Sequence, residues 1–341
     1  MNRLRGGRIG ERVHIFLGKM GTHPVLELLA RRKKDRSKPG HRKDGFRLAL
    51  VAEGGAMRGV VSSGMLWALE DADLLPCFDL AVGCSAGAMN LSSFLAGVAG
   101  ASTREYAGGF NSPKIIRPIR ALWGRPIIDL KATLDHSSAA LDGDRLQRVL
   151  ESPIPLHCVA TDIDRARRAL LSDFRSLDEL RSALMASSCL PLFAGKAVEF
   201  RGHRYLDGGI TEAIPLASAR ELGATHVLVL QTRPRGLRYP PPKGIFTRLV
   251  ENRLGRFHPV LPTLYHRRNF LYDEICDQLD AAQAKGAAAL PSVYGLRLPE
   301  GSPSVAHLER RPEVLRARAE AARDLAEREL IRPVLELRGR K

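Results

Sequence analysis

Leu80-Ala81-Val82-Gly83-Cys84-Ser85-Ala86-Gly87-Ala88-Met89-Asn90 runs from an apolar strand into a helix of small residues, with no loop between them. The first five residues suit a strand buried on both faces of a sheet. Ser85 stands at the junction, inside the pattern Gly83-x-Ser85-x-Gly87. A strand-to-helix reversal of this kind lifts a serine hydroxyl off the backbone, and the flanking glycines let neighbouring chain pass without a Cβ clash. The pattern alone arises readily by chance, so its surroundings must decide whether Ser85 is a nucleophile.

Upstream, Arg47–Ala52 is a continuous apolar run that reads as the first strand, followed by Gly54-Gly55-Ala56-Met57-Arg58-Gly59 and a helix from about Gly59 to Asp71. Strand, glycine loop and helix in that order gather backbone N–H groups at a helix N-terminus, where negative charge is favoured. A dinucleotide fingerprint needs glycine where Ala56 stands, and a phosphate loop needs Lys-Ser/Thr where Val60-Val61 stands, so both nucleotide readings fail on residue type. An oxyanion hole remains, with the N–H groups of Gly55 and Ala56 as donors.

A nucleophilic serine needs a base. His226 starts a strand, His157 lies within one and His203 sits in a hairpin-like segment, and each reads as structural or exposed. Asp207 is better placed: it ends the strand Val198–Leu206 and precedes Gly208-Gly209, a tight reversal that would let its carboxylate reach Ser85 directly.

Further strands are expected at Leu156–Thr161, Thr225–Gln231 and Ser292–Leu298. Helices are expected at Ile127–Leu134, Gly143–Leu150, Leu261–Ala284 and Pro312–Ile331, the last with Leu315, Ala319, Ala322 and Ala326 on one stripe. Ser176-Leu177-Asp178-Glu179 is a capping box opening a helix to about Ser188. Alternating strands and helices imply an α/β domain over 46–331 with a mainly parallel central sheet and helices on both faces. Residues 1–45 read as a flexible basic segment, 232–268 as a basic loop or flap with Pro240-Pro241-Pro242, and 332–341 as a basic tail.

The formal charge of +16 sits in two segments, +9 in residues 1–45 and +8 in 232–268. An anionic membrane surface, nucleic acid or an acidic partner would suit such patches, but no helix-turn-helix, zinc finger or RNP-like motif is present, and nucleic acid is not expected. Five scattered cysteines, with no C-x-x-C spacing, suggest free thiols in a reducing compartment and no metal site. The start lacks the apolar core of a secretion signal, which points to a cytoplasmic protein. Leu80–Thr103 is uncharged over its length, but its glycines and serines argue for a strand and a buried helix over a membrane span. Asp162-x-Asp164 and Asp142-x-Asp144 lack the remaining ligands of a calcium loop and read as solvated turns.

Taken together, Glu53–Gly59, Gly83-Cys84-Ser85-Ala86-Gly87, Met185-Ala186-Ser187-Ser188-Cys189-Leu190-Pro191 and Asp207-Gly208-Gly209 resemble, in order, the motifs of the bacterial patatin-like phospholipases. The resemblance implies a three-layer α/β/α fold and a Ser-Asp dyad acyl hydrolase acting on lipid esters without metal or organic cofactor. It assigns Ser85 as nucleophile and Asp207 as base. Gly54, Gly55, Ala56 and Arg58 lie around the oxyanion, and Gly83, Gly87, Gly208 and Gly209 shape the two turns. The third loop glycine is replaced by Ala56, which does not adopt positive φ cheaply, so the geometry of the hole is the open point. Phospholipid presented in an anionic surface would give Arg233, Arg235, Arg238, Lys243, Arg248, Arg253 and Arg256 a role as peripheral contacts, on the inner face of the membrane. The alternatives are an esterase or thioesterase of soluble substrates and a catalytically silent membrane-binding scaffold.

Overall fold

The computed structural model describes residues 23–123, 125–140, 144–240, 243–285 and 291–339. In chain order it contains α1 (Pro24–Lys34), β1 (Leu48–Ala52), α2 (Val60–Asp71), β2 (Leu80–Cys84), α3 (Ala86–Leu95), α4 (Ala99–Gly108), α5 (Leu130–Ala140) and α6 (Arg145–Leu150). There follow β3 (Leu156–Asp162), β4 (Arg167–Leu171), α7 (Leu177–Ser188), β5 (Val198–Phe200), β6 (His203–Asp207), α8 (Leu216–Glu221) and β7 (His226–Leu230). The chain closes with α9 (Ile245–Gly255), α10 (Leu261–Lys285), β8 (Ser292–Leu296), α11 (Pro312–Ala326) and α12 (Arg332–Gly339).

The strands form one sheet in the order β5-β6-β3-β2-β1-β7-β8, with β4 also paired to β3. The pairs β3–β2, β2–β1, β1–β7 and β7–β8 are parallel. Residues on β1 alternate between two cores, as the strand period requires. Leu48, Leu50 and Ala52 pack with α1, α2, α3 and α11, while Ala49 and Val51 face Leu216 and Ala219 of α8 and Tyr272, Cys276 and Leu279 of α10. This is a three-layer α/β/α arrangement. Leu315, Ala319, Ala322 and Ala326 of α11 are buried, as their spacing predicts. Leu80–Thr103 is divided among β2, α3 and α4, and no helix among the described residues is long and apolar enough to cross a membrane.

Four expectations are corrected. The strand expected over Val198–Leu206 is a hairpin: Arg201 and Gly202 take φ of 47° and 77°, the two positive-φ residues of a tight antiparallel reversal, so β5 and β6 pair with each other. Between residues 23 and 45 the chain is part of the fold. Val25, Leu26, Leu28 and Leu29 of α1 are buried, and α1 packs on α12, which also takes most of the expected basic tail into the structure. The basic stretch 232–268 holds α9 and the start of α10 in place of a loop. At α7, Ser176 caps the Glu179 N–H, but the Glu179 carboxylate accepts from the Arg175 N–H, one residue further back than a capping box requires. Residues 1–22, Asp142, Gly143, Pro241, Pro242 and the last two residues, all touched by sequence expectations, lie outside the described residues.

The basic run at the chain's start has a structural cause. Arg32, 1% exposed, bonds Asp44 (2.8 Å), Asp79 (2.6 Å) and the carbonyls of Cys77 and Phe46. Asp79 also takes Arg42 (2.7 Å) and the Leu48 N–H at the start of β1 (2.7 Å). Removing one side of such a buried pair strands the other charge. Asp79→Ala is expected to lower unfolding free energy by about 3–5 kcal/mol in urea titrations. A loss under about 1 kcal/mol, the range of exposed pairs, would show the network to be peripheral.

Candidate functional site

The parallel register brings the C-terminal ends of β1 and β2 side by side, with Ala52 opposite Gly83. The chain leaves β2 at Ser85, whose backbone sits at φ 53° and ψ −126° before α3 begins. That conformation is costly for a residue with a Cβ and persists only when its surroundings hold it. Here they do. The Ser85 N–H donates to Ser187 Oγ (2.9 Å), which itself donates to the Val159 carbonyl (2.6 Å), and the Ser85 carbonyl accepts from Ala88 and Met89 in α3. Gly87 is obligatory, since a Cβ there would lie 2.3 Å from the Ala52 carbonyl oxygen. Gly83, two residues before Ser85, lies within β2.

Asp207 ends β6 and is held by its own N–H on the Cys189 carbonyl (3.0 Å) and by the Gly209 N–H on its Oδ1 (2.7 Å). Gly208 lets β6 end against β3, because a Cβ would meet the Val159 carbonyl at 2.3 Å. Ser85 and the Asp207 carboxyl line the same cavity. Withdrawal from water raises that carboxyl to about 6, against the opposing pull of the Gly209 N–H, the Ser85 hydroxyl and the Arg268 charge.

In the loop after β1, the Gly54 N–H is occupied by the Ala213 carbonyl (3.4 Å). Gly55 has φ 153° and Ala56 φ 50°, so alanine does take the left-handed conformation that was in question. Among the described residues, neither the Gly55 nor the Ala56 N–H is engaged. The loop is clamped from outside. Arg58 donates from its backbone to the Gly55 carbonyl (3.1 Å) and from Nε to Thr232 Oγ1 (3.1 Å), and Thr232 Oγ1 donates to the Gly54 carbonyl (3.1 Å). Glu53 accepts the Thr232 N–H (2.6 Å) and the Tyr272 hydroxyl (3.1 Å) and lies 3.8 Å from Arg58.

These groups border one cavity of about 350 Å³. Its lining includes the apolar side chains Met89, Phe110, Ile115, Ile116, Leu130 and Leu134, and the charged or titratable Arg58, Arg145, Arg233, Arg268 and His307. Sequence reading missed Ser187, Thr232, Tyr272, Arg268 and His307 as site residues. Ser187 lies in the quoted Met185–Pro191 block without a role assigned to it, and the other four sit in no pattern that marks them; the pairing of distant elements brings them in. Arg233, expected to face a membrane, is instead buried, its guanidinium 3.7 Å from the Tyr272 ring centroid. Arg238 is paired with Asp277 and Asp273. Arg235, Lys243, Arg248 and Arg256 are exposed, and Arg253 lies near the Phe257 ring.

The weighed histidines stand apart from the cavity. His226 pairs with Leu48 at the opposite end of the parallel sheet, and burial pulls it down to about 4. His157 is also lowered by burial, and His203 lies beside Arg165.

The α/β sheet thus brings Ser85 at a strand-to-helix elbow, Asp207 at a strand end and the glycine loop after β1 to one cavity. A family model described as patatin-like phospholipase matches residues 50–220. The chain belongs to the patatin-like phospholipase family. It is 34% identical over 199 residues to the uncharacterized protein YjjU of Escherichia coli, an alignment covering 57% of this chain and 54% of that one. It is 28% identical over 145 residues to mouse 1-acylglycerol-3-phosphate O-acyltransferase Pnpla3, covering 40% and 33% of the two chains. It is 36% identical over 83 residues to human patatin-like phospholipase domain-containing protein 4, covering 21% and 33%. The match thus spans about half the length of YjjU and a third of the two mammalian proteins.

The Asp207 environment has a stability consequence. A carboxyl raised in the folded state favours folding while protonated, and that contribution is lost as pH rises through about 6. Asp207→Asn keeps an acceptor for Gly209 and cannot ionise. The variant is expected to be more stable than wild type at pH 8, by up to about 3 kcal/mol, with the gap shrinking toward pH 4. Urea unfolding at the two pH values checks this, and equal gaps at both would contradict the assigned desolvation.

Proposed function

We propose that this chain is a serine lipid acyl hydrolase in which Ser85 attacks a carboxylic ester, Asp207 takes its proton, and the Gly55 and Ala56 N–H groups receive the oxyanion. The observation that carries the reading is that Ser85, held at a strand-to-helix elbow, lines one cavity together with the water-excluded carboxyl of Asp207, the Gly55–Ala56 loop and a set of apolar side chains. The attack moves the hydroxyl proton to Asp207 as the ester carbonyl becomes tetrahedral. Collapse then expels the alcohol, which takes the proton back, and leaves an acyl-Ser85. Water activated by the same carboxylate completes hydrolysis. The name of the mouse relative carries acyl transfer to an alcohol, the same chemistry with a different acceptor at the second step. No cofactor enters any step.

A base that must be ionised predicts kcat/KM for a short-chain p-nitrophenyl ester rising with pH to a plateau above about 6. A fluorophosphonate probe is expected to label Ser85, and Ser85→Ala to abolish both labelling and turnover. Asp207→Asn is expected to lower kcat by roughly 10²–10⁴-fold. Labelling and turnover that survive in Ser85→Ala would remove the serine from the reaction.

The substrate class is inferred from the surface around the cavity. Ile245 and Leu249, one turn apart on α9, are 81% and 52% exposed, and Phe270 on α10 is 57% exposed. Exposed Lys243, Arg248 and Arg256 accompany them, while Thr247 on the same helix lines the cavity. An apolar ridge amid basic side chains suits a membrane surface with anionic lipids, each charge contributing about 1 kcal/mol. The protein is expected to sediment with phosphatidylserine-containing vesicles at low salt, and Leu249→Asp to release it. Sedimentation indifferent to both salt and Leu249→Asp would count against this face as the membrane contact.

A further inference from the structure

Arg32 and Arg145 are buried to nearly the same extent, and the chain treats them differently. Arg32, 1% exposed, meets two carboxylates and two carbonyls. Arg145, the first residue of α6 and 2% exposed, meets one hydroxyl: its Nη1 donates to Ser93 Oγ (2.9 Å). Its Nε is withdrawn from water with no hydrogen-bond partner. Among the described residues no carboxylate pairs with it, and Asp144, its neighbour in the chain, is exposed. Burial, and then the like charge of Arg181, draw the guanidinium down to about 10. A buried charge without a partner is costly, and a cation in the first turn of a helix opposes the helix dipole. The fold alone does not account for the charge at this position.

Arg145 lines the same cavity as Ser85, and α3 sets its place there. Ala86, Met89, Asn90 and Ser93 line the cavity at the three- and four-residue spacing of one helix face, and Ser85 caps the same helix. Ser93 lies eight residues beyond Ser85. At the helical rise per residue, Arg145 therefore meets this face about 12 Å from the elbow. Met89 stands midway, and Ser93 Oγ also lies 3.1 Å from Ser102 Oγ, a further hydroxyl of the lining. The nearby polar groups of the lining are already engaged: the Tyr106 hydroxyl donates to Asn90 Oδ1 (2.9 Å), and Asn90 Nδ2 donates to the Gly59 carbonyl (2.8 Å). Arg145 is the group left unmatched at this end.

We propose that Arg145 and Ser93 receive a carboxylate at the far end of the acyl chain whose ester is presented to Ser85, so that the preferred acyl group ends in a carboxyl group in place of a methyl. The assignment rests on the Ser85 reading above and goes beyond it in naming the acyl group. A carboxylate accepts the paired N–H groups of a guanidinium and supplies the negative charge that the fold withholds from Arg145. A methyl-terminated chain fills the same space but leaves the guanidinium desolvated and unmatched, so the cavity discriminates against it.

Titration calorimetry on the full-length Ser85→Ala protein tests this without any turnover. Charged and neutral esters of two lengths would be compared: monomethyl and dimethyl octanedioate, long enough to reach from Ser85 toward Ser93, and monomethyl and dimethyl butanedioate, which are too short. Monomethyl octanedioate is expected to bind at least about tenfold tighter than its dimethyl ester, as charge-assisted pairing implies. The two butanedioates should bind alike. Adding Arg145→Met should erase the preference for the charged octanedioate, and adding Ser93→Ala should reduce it. Arg145→Met is expected to melt no lower than its parent, because it removes an unmatched buried charge and keeps an apolar stem. If that variant does not fold, an undiminished preference in Ser93→Ala overturns the assignment. Equal binding of the two octanedioates would overturn it as well. So would a preference that survives both substitutions or is as large for the butanedioates, since the carboxylate would then sit on other cations of the cavity. Octanoate binding as tightly as monomethyl octanedioate would keep a carboxylate site at Arg145 but overturn its assignment to the end of an acyl ester. Failure of fluorophosphonate to label Ser85 in the wild type would instead remove the catalytic reading while leaving these binding measurements intact.

Discussion

The backbone of the elbow lies directly on the backbone of the strand end beside it, and the site depends on that contact. At Gly87 the space a Cβ would need is already filled by the Ala52 carbonyl, and at Gly54 it is filled by the Cys84 carbonyl, at 2.8 Å. Two chain crossings this close cannot drift independently, so the loop with the free N–H groups and the serine it faces form one rigid unit. The strained dihedral angles of Ser85 and Ala56 follow from this packing. Each conformation is unfavourable alone, and each is held by hydrogen bonds reaching elements far along the chain, Ser187 in one case and the Arg58–Thr232 clamp in the other.

Placing Asp207 against that unit requires a second departure from the parallel sheet. β6 runs antiparallel to β3, with Ala160 opposite Asp207, so the strand delivers its last residue toward the same region that β1 and β2 reach with their C-terminal ends. Had β6 been parallel, Asp207 would have emerged with its neighbours' ends but on a chain entering from the other side, and the Gly209 and Cys189 contacts that hold it would have no counterpart. The hairpin at Arg201–Gly202 pairs the edge strand β5 with β6, and the pairing of β6 with β3 sets where Asp207 ends.

The sequence made the core of this arrangement readable because its parts are local. The apolar runs before Ser85 and Gly54, the glycines around them and the strand-terminal Asp207 each carry their signal within a few residues. What was not readable depends on pairing across the chain. Ser187 matters through Ser85, 102 residues away, and Thr232 through Glu53 and Gly54, 178 or more residues away. Periodicity cannot show such relations. The hairpin was read only around His203 and not across Val198–Leu206 for a related reason: its turn is Arg-Gly, which lacks the Asn or Asp that usually announces a two-residue reversal. The entry segment was misread because composition dominated: a run of arginines and lysines looks solvated until Asp44 and Asp79 are seen to receive one of them in the interior.

The net charge of +16 therefore has no single cause. Arg32 and Arg42 are structural, tied to Asp79 and to carbonyls at the start of the first strand. Arg233 and Arg268 belong to the cavity, where aromatic rings in place of carboxylates support them. Lys243, Arg248 and Arg256 remain for the surface. The α9–α10 pair joins the last two groups. Val250, Leu254, Leu261 and Tyr265 pack into a cluster with Leu206 and Ile210, the residues on either side of the Asp207 turn, while the outer side of α9 exposes Ile245 and Leu249. Whatever presses on that outer face presses through one layer of side chains on the element that carries Arg268 and on the strand end that carries Asp207.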